Sequence, residues 1–389
     1  MRFVSRTLFA LVFLCLLLCL SGCVKQNADS GWVSRTNWYG SMSDTGYYYT
    51  DKTKFLYYVD FQSNVNVSLC QKVGCAHSNT GDCEAYLGTE RILFWGDHLY
   101  YLADDAYGTH LYRRDATGQN LTAIGTLCED LMREERNISI NVVDTLITNG
   151  RLYYCAIINK MERDEGGAHS VSYRDVIRYI DLTSGKETTV VESADSRLEL
   201  IGVREQEMLY SSIIMPAGLT EDNASELLAN TTIKIIIRSI GNGDERLLFE
   251  KHRSQFHSSV GFTNGMLFYL YYTENEICNV VYNVDSCKEE SLPSGFLSVI
   301  NNRYVLLRDN TFRYTLLDIQ KDQQLPVDLM NANISVYCSA NQGAIFKYSD
   351  RKVEEGQKKL LRYAYIASDA LADGLQESDL IVFYQNNMG

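Results

Sequence analysis

Proline is scarce in this chain, three residues in 389, and histidine is nearly as rare at six. No proline- or serine-rich stretch interrupts the body, so nothing in the composition marks a linker between domains. Basic residues are in deficit, 36 against 49 acidic ones for a formal charge of −13, which excludes generic recognition of a phosphate backbone. The short catalytic signatures are missing as well. There is no Gly-x-Ser-x-Gly elbow, no His-Glu-x-x-His, no Walker loop and no dinucleotide fingerprint. Without a Cys-x-x-Cys pair, thioredoxin-like redox work and covalent haem drop out; without an Asp-x-Asp-x-Asp-Gly loop, so does calcium of the EF-hand type. Carboxylate pairs for glycoside chemistry are set in space rather than in sequence and stay open.

What is present begins at the N-terminus. Arg2 and Arg6 precede Leu8 to Leu20, 13 mostly large apolar residues. A membrane span needs about 20, whereas a signal-peptide core has about 7–15. No later segment reaches 18 apolar residues. The run ends in Leu20-Ser21-Gly22-Cys23, which resembles the lipobox of bacterial lipoproteins. That resemblance implies acylation of the Cys23 thiol, cleavage before it, and a mature chain tethered by two acyl chains, enough for stable anchoring without a span. Residues 1–22 are then a leader and 23–37 a lipidated cysteine with a short polar tether.

The body from 38 to 389 is repetitive, and repeats take precedence over other readings. An aromatic strand recurs as Tyr47-Tyr48-Tyr49, Leu99-Tyr100-Tyr101, Leu152-Tyr153-Tyr154, Met208-Leu209-Tyr210 and Leu267-Phe268-Tyr269, with weaker copies at Arg303-Tyr304-Val305 and Ala344-Ile345-Phe346. The starts are roughly 40 to 60 residues apart, close to a propeller blade. Turn residues precede several copies, for example Gly96-Asp97, Asn149-Gly150 and Asn264-Gly265. A second strand follows and ends in an Asp- or Asn-led turn, clearest at Asp60, Asp115 and Asp181 and repeated near Ser239, Asn283 and Asp318. Leu121 to Ile124, Thr188 to Val191 and Leu247 to Phe249 read as a third strand. Seven such units, within a range of six to eight, predict an all-β, seven-bladed β-propeller as one closed domain. The pattern resembles the TolB-like and other lipoprotein propellers of the bacterial envelope. Thr126 to Arg136 and Thr220 to Ala229 read as short helices, Asn159 to Ser172 as a polar insertion, and Asp379 to Tyr384 as a closing strand. The 27 tyrosines fall at the period of the fold, so core and inter-blade packing explains them without a sugar ligand.

Eleven cysteines reduce to eight once Cys15 and Cys19 leave with the leader and Cys23 takes the lipid. The dense group is Cys70-x4-Cys75-x-His77-x5-Cys83, between the first two units. It resembles a cysteine/histidine signature of Firmicute lipoprotein propellers. Three readings stay open: a local disulfide (Cys70–Cys83 or Cys75–Cys83), a closed Cys3His zinc site, or free thiols. Cys155 and Cys338 lie on apolar strands and read as small buried hydrophobes, while a Cys278–Cys287 bridge is not predicted. His252 and His257 mark the junction of units four and five and are binding-face candidates by propeller analogy, against a plainer reading as exposed loop histidines.

These readings predict a monomeric lipoprotein on the extracytoplasmic face of a bacterial cell membrane. It would serve as a non-enzymatic binding propeller for an envelope protein or glycan, with no nucleic acid partner. Two alternatives stand beside it: a glycan hydrolase or lyase with carboxylates in the funnel, and a metal- or redox-responsive propeller built on the cysteine cluster.

Overall fold

A computed structural model of the chain describes residues 31–35, 40–77, 83–135, 137–163, 169–216, 230–252, 256–272, 277–292, 295–309, 311–329, 332–340, 342–350 and 359–388. The repeat is a seven-bladed β-propeller, and every blade has at least four strands. Blade I is Ser41–Met42, Gly46–Thr50, Leu56–Asp60 and Asn66–Ser68. Blade II is Ile92–Trp95, His98–Asp105, Gly108–Asp115 and Thr122–Thr126. Blade III is Ile138–Thr148, Arg151–Arg163, His169–Asp181 and Glu187–Ser193; blade IV is Arg197–Arg204, Glu207–Ile214, Thr232–Ser239 and Glu245–His252. Blade V runs Phe256–Thr263, Met266–Tyr272, Ile277–Asn283 and Lys288–Leu292. Blade VI runs Gly295–Val299, Tyr304–Arg308, Tyr314–Asp318 and Gln323–Asp328, and blade VII Ala332–Ala340, Gly343–Asp350, Lys359–Ala367 and Ile381–Met388. Within each blade these strands pair antiparallel in chain order, so the first lines the central channel.

Each aromatic triplet of the sequence is the second strand of its blade. Side chains alternate across a strand, so adjacent aromatics leave on opposite faces. Tyr101 packs with Tyr48 and Leu56 of blade I, while its neighbour Tyr100 packs with Leu152 and Tyr154 of blade III. Tyr153 turns to Leu200 and Met208 of blade IV. Phe268 joins Phe296 and Val305 of blade VI, and Tyr269 joins Ile235 of blade IV. Nearly every buried tyrosine therefore belongs to an inter-blade core, as the period predicts. The Asp-led turns join third and fourth strands. The Asp181 carboxylate accepts from the backbone N–H of Ser184 at 2.8 Å and that of Thr183 at 3.1 Å, which holds its pKa below the ordinary carboxylate range. Asp60, Asn283 and Asp318 do the same in their turns.

Four details sharpen the expectations. The helix foreseen within 126–136 is a single short one, Glu129–Glu134, pinned by Arg178, whose guanidinium reaches Asp130 at 2.5 Å and Glu187 at 2.8 Å. The expected helix at 220–229 lies outside the described residues. The polar insertion at 159–172 is a lengthening of the blade III hairpin, paired without a break from Arg151↔Asp181 to Arg163↔His169. The C-terminal strand is the outer strand of blade VII and pairs within its own blade, Tyr363↔Tyr384 for example. Among the described residues no strand of blade VII comes from the N-terminal end, and side chains join blade VII to blade I. Phe61 stacks on Tyr365 with centroids 3.6 Å apart and planes 6° from parallel. Asn64 Nδ2 donates to the Val382 carbonyl at 3.2 Å, and Gln342 Nε2 to the Ser43 carbonyl at 2.5 Å. Phe61→Ala should therefore lower stability by about 1–3 kcal/mol, and a double-mutant cycle with Tyr365→Ala should return a coupling of about 0.5–1.5 kcal/mol in denaturant unfolding.

Candidate functional site

Two places combine chemistry with a built environment: the Cys/His cluster at the junction of blades I and II, and the central channel. In the cluster, the outer strand of blade I ends at Ser68, and a loop carries the chain to the inner strand of blade II. The Cys75 N–H donates to the Lys72 carbonyl at 3.2 Å, and Gly74 and His77 take positive φ of 74° and 51°. These turns fold the loop back on itself. Its far end is fixed from both blades: Leu56 N–H donates to the Ala85 carbonyl at 2.8 Å, Arg114 donates to the Glu84 carbonyl, and Gln119 Nε2 reaches the Glu84 carboxylate at 3.2 Å. Cys83 is buried in the core shared by blades I and II.

The Sγ atoms of Cys70, Cys75 and Cys83 and a ring nitrogen of His77 all lie within 4.8 Å of one another, and His77 Nδ1 is 3.4 Å from Cys83 Sγ. A tetrahedral zinc with Zn–S bonds of about 2.3 Å would set its donors about 3.8 Å apart, so the group needs little rearrangement to hold one. All eight described cysteines carry free thiols, so neither local disulfide is formed. The thiols are unlike one another. Burial pushes Cys83 up to about 11. Burial also acts on Cys70, but hydrogen bonds from the backbone N–H groups of Lys72 and Glu84 and from the Cys75 and Cys83 thiols together outweigh it and bring that thiol below its ordinary value. Three thiols and an imidazole gathered in this way are a donor set that a divalent cation would convert to thiolates on binding.

The second place was not foreseen. Residues 31–35, assigned by sequence to the tether, enter the central channel, where Val33–Ser34 forms a fifth, innermost strand of blade IV. Val33 pairs with Val203 and Ser34 with Gly202, antiparallel. Gly202 permits this approach: a Cβ there would stand 2.6 Å from the Phe262 ring and 3.0 Å from the Val33 carbonyl oxygen. Trp32 is 3% exposed, edge-on to Phe262 at 5.5 Å, with the Arg204 guanidinium 4.6 Å above its ring. Arg35 pairs with Asp144 at 3.1 Å. Burial pushes the Asp144 carboxyl above its ordinary value, with nearby Glu199 adding to the effect and Arg35 opposing it.

Beside this strand remains a cavity of about 390 Å³. Thr263, Ser298 and Asn302 are among its polar lining, Trp32 and Phe94 among its aromatic lining, and Arg35 is the one charged residue among those that line it. The junction that carries the histidine candidates is remote from the cysteine cluster. His252 is exposed at the end of the outer strand of blade IV, and residue 257 lies in the first strand of blade V, so blades II, III and IV separate this junction from the cysteine cluster. Cys155 and Cys338 are buried, as expected, with burial raising both thiols. Cys278 and Cys287 are unbridged. Cys23 lies outside the described residues, and no described helix is long and apolar enough to cross a membrane. Removing the docked indole should be costly: Trp32→Ala should destabilise the protein by about 3–5 kcal/mol in denaturant unfolding and expose residues 31–35 to proteolysis.

No protein-family model matches the chain, and no curated protein matches it either. Solved structures do. A puromycin-hydrolyzing peptidase of Mycobacterium tuberculosis superposes with a TM-score of 0.55 at 8% identity, over 92% of this chain and 54% of that one. An acylaminoacyl peptidase of Pyrococcus horikoshii superposes at 0.50 with 9% identity, over 94% of this chain and 53% of that one. TolB from Acinetobacter baumannii also matches, at 13% identity over 87% of this chain and 77% of that one, with a TM-score of 0.35. The chain thus spans about half the length of the peptidases it matches, and at such identities the likeness establishes the β-propeller fold alone.

Proposed function

We propose that this protein is a lipid-anchored propeller on the extracytoplasmic face of a bacterial membrane, binding an envelope ligand without transforming it. The observation that carries the binding reading is the channel cavity. Its volume lies at the lower end of the range for small-ligand pockets, about 300–1,000 Å³. Its lining of hydroxyl and amide groups beside aromatic rings suits a neutral, hydroxyl-rich ligand such as a glycan segment. Its one charged lining residue, Arg35, is already engaged by Asp144. The anchor rests on Leu20-Ser21-Gly22-Cys23 after the apolar run, with a diacylglyceryl group on Cys23.

Soluble envelope oligosaccharides should bind the full chain saturably, without turnover, and Ala340→Trp, which fills the cavity, should abolish binding while leaving the fold intact. Turnover of an oligosaccharide by the protein would replace this reading with the hydrolase or lyase alternative. Labelled palmitate should be incorporated by the parent and lost in Cys23→Ala, with the variant moving to the soluble fraction. Equal membrane retention of that variant would remove the anchor.

A second reading is favoured by the convergence of Cys70, Cys75, His77 and Cys83. In it the four side chains hold one Zn²⁺ in a closed structural site that clamps blade I to blade II. With no open coordination position the ion would hold the loop and do no hydrolysis. Elemental analysis of protein purified without chelator should find about one zinc per chain in the parent and a loss in Cys75→Ser, and chelation should lower the melting temperature of the parent only. A parent free of zinc would end this reading.

A further inference from the structure

The register of the N-terminal strand fixes the end of the channel at which the chain enters. Val33 lies opposite Val203 and Ser34 opposite Gly202, and the Arg35 N–H donates to the Ile201 carbonyl at 3.1 Å. Numbers rise along residues 33–35 as they fall along the blade IV strand. Gly31 and Trp32 therefore stand at the Arg204 end, where the first strand of blade IV turns into the second. The contacts agree. Trp32 carries the Arg204 guanidinium above its ring, and a Cβ on Gly265, in the matching turn of blade V, would lie 3.4 Å from the indole. Arg204 itself pairs with Asp285 of blade V at 2.9 Å. The chain enters through the mouth ringed by the first-to-second-strand turns.

Cys23 precedes Gly31 by eight residues, and a fully extended chain covers at most about 3.3–3.6 Å per residue, so the tether reaches about 28 Å from this mouth at its longest. Reaching the other face means leaving the channel, crossing four strands spaced about 4.8 Å apart, and climbing an eight-residue strand of about 26 Å, about 45 Å in all. The tether is too short for that path. Resting on the lipid-anchor reading, we infer that the protein rides on the bilayer in one orientation: the mouth ringed by the first-to-second-strand turns faces the lipid surface, and the opposite face points away. The cavity lined by Trp32, Thr263 and Asn302 then lies in the membrane-proximal half of the channel. Its ligand would be presented from the membrane side, as a headgroup-borne or membrane-attached polar segment is.

Gln206 and Asp195, both exposed, flank the same inner strand, Arg197–Arg204, at its two ends. A fluorescent donor at each position in turn, by genetically encoded side chain in the lipidated full chain, is read against an acceptor lipid in liposomes, after flotation has shown that the protein is bound. The donor at Gln206 should transfer energy to the bilayer, with a clear loss of transfer at Asp195. A flexible insertion of about 20 residues between Asn27 and Ala28 should remove the difference, because the tether then reaches either face. If the protein floats and Asp195 transfers as well as or better than Gln206, the orientation is wrong while the anchor stands. If the lipidated protein does not float, the anchor reading falls and the orientation falls with it.

Discussion

The ring depends on one packing constraint: the second strand of each blade must satisfy both neighbouring blades at once. Side chains alternate across a strand, so two consecutive large aromatics face opposite ways, and each has to find a core already half built by the next blade. Tyr100 and Tyr101 do this for blades III and I, and Tyr153 and Tyr154 for blades IV and II. Replacing one of them alters an interface rather than a blade. This is why the protein carries so many tyrosines, and why none of them needs a ligand to account for it. Two of their hydroxyls find partners within the ring: Tyr48 donates to the Ala116 carbonyl of blade II at 3.0 Å, and Tyr210 to Glu245 of its own blade at 2.9 Å.

Closure follows the same logic. In blades I and VII the described strands each come from one end of the chain, so among the described residues no strand is shared across the seam. The seam holds because Phe61, Tyr47 and Tyr365 meet as any other inter-blade core does. Two of the connections between blades are pinned by polar contacts: the loop between I and II by Arg114 and Gln119 at Glu84, and the one between II and III by Arg178 with Asp130 and Glu187. Against this scaffold the N-terminal strand stands out, because it links one end of the chain to the inner edge of a blade far from blade I. It gives the channel a fixed occupant and, with the lipid reading, gives the ring a direction.

The second strand of every blade was legible in the sequence, as were the third strand of most blades and the outermost strand of blades II, III and IV, because two local signals mark them. Aromatic residues recur at blade spacing, and Asp or Asn opens the turns by accepting from backbone N–H groups two and three residues on. The channel-lining strands were not legible. In five blades the first strand is bulged against the second, at Val142/Asp144, Leu200/Gly202, Ser259/Gly261, Phe296/Ser298 and Val336/Cys338, and each bulge breaks the period-two alternation that reveals a strand. In blade I that strand is only Ser41–Met42. The four donors of the cysteine cluster were readable as residue types, but their convergence depends on the positive φ of Gly74 and His77, which spacing alone does not reveal. The docking of Trp32 was hidden for another reason. Two strand residues after a polar tether carry no periodicity, and the partner that accepts them, Gly202, is distant in sequence.

Native-state hydrogen exchange on the full chain tests the central claim most directly. If each second strand is held by both neighbours, the amides of Gly46–Thr50 in blade I and Gly343–Asp350 in blade VII should exchange with the same free energy as those of Arg151–Arg163 and Glu207–Ile214, because opening any interface opens the ring. Much faster exchange confined to blades I and VII would contradict the account. It would show a ring that opens at its seam while the other blades stay folded.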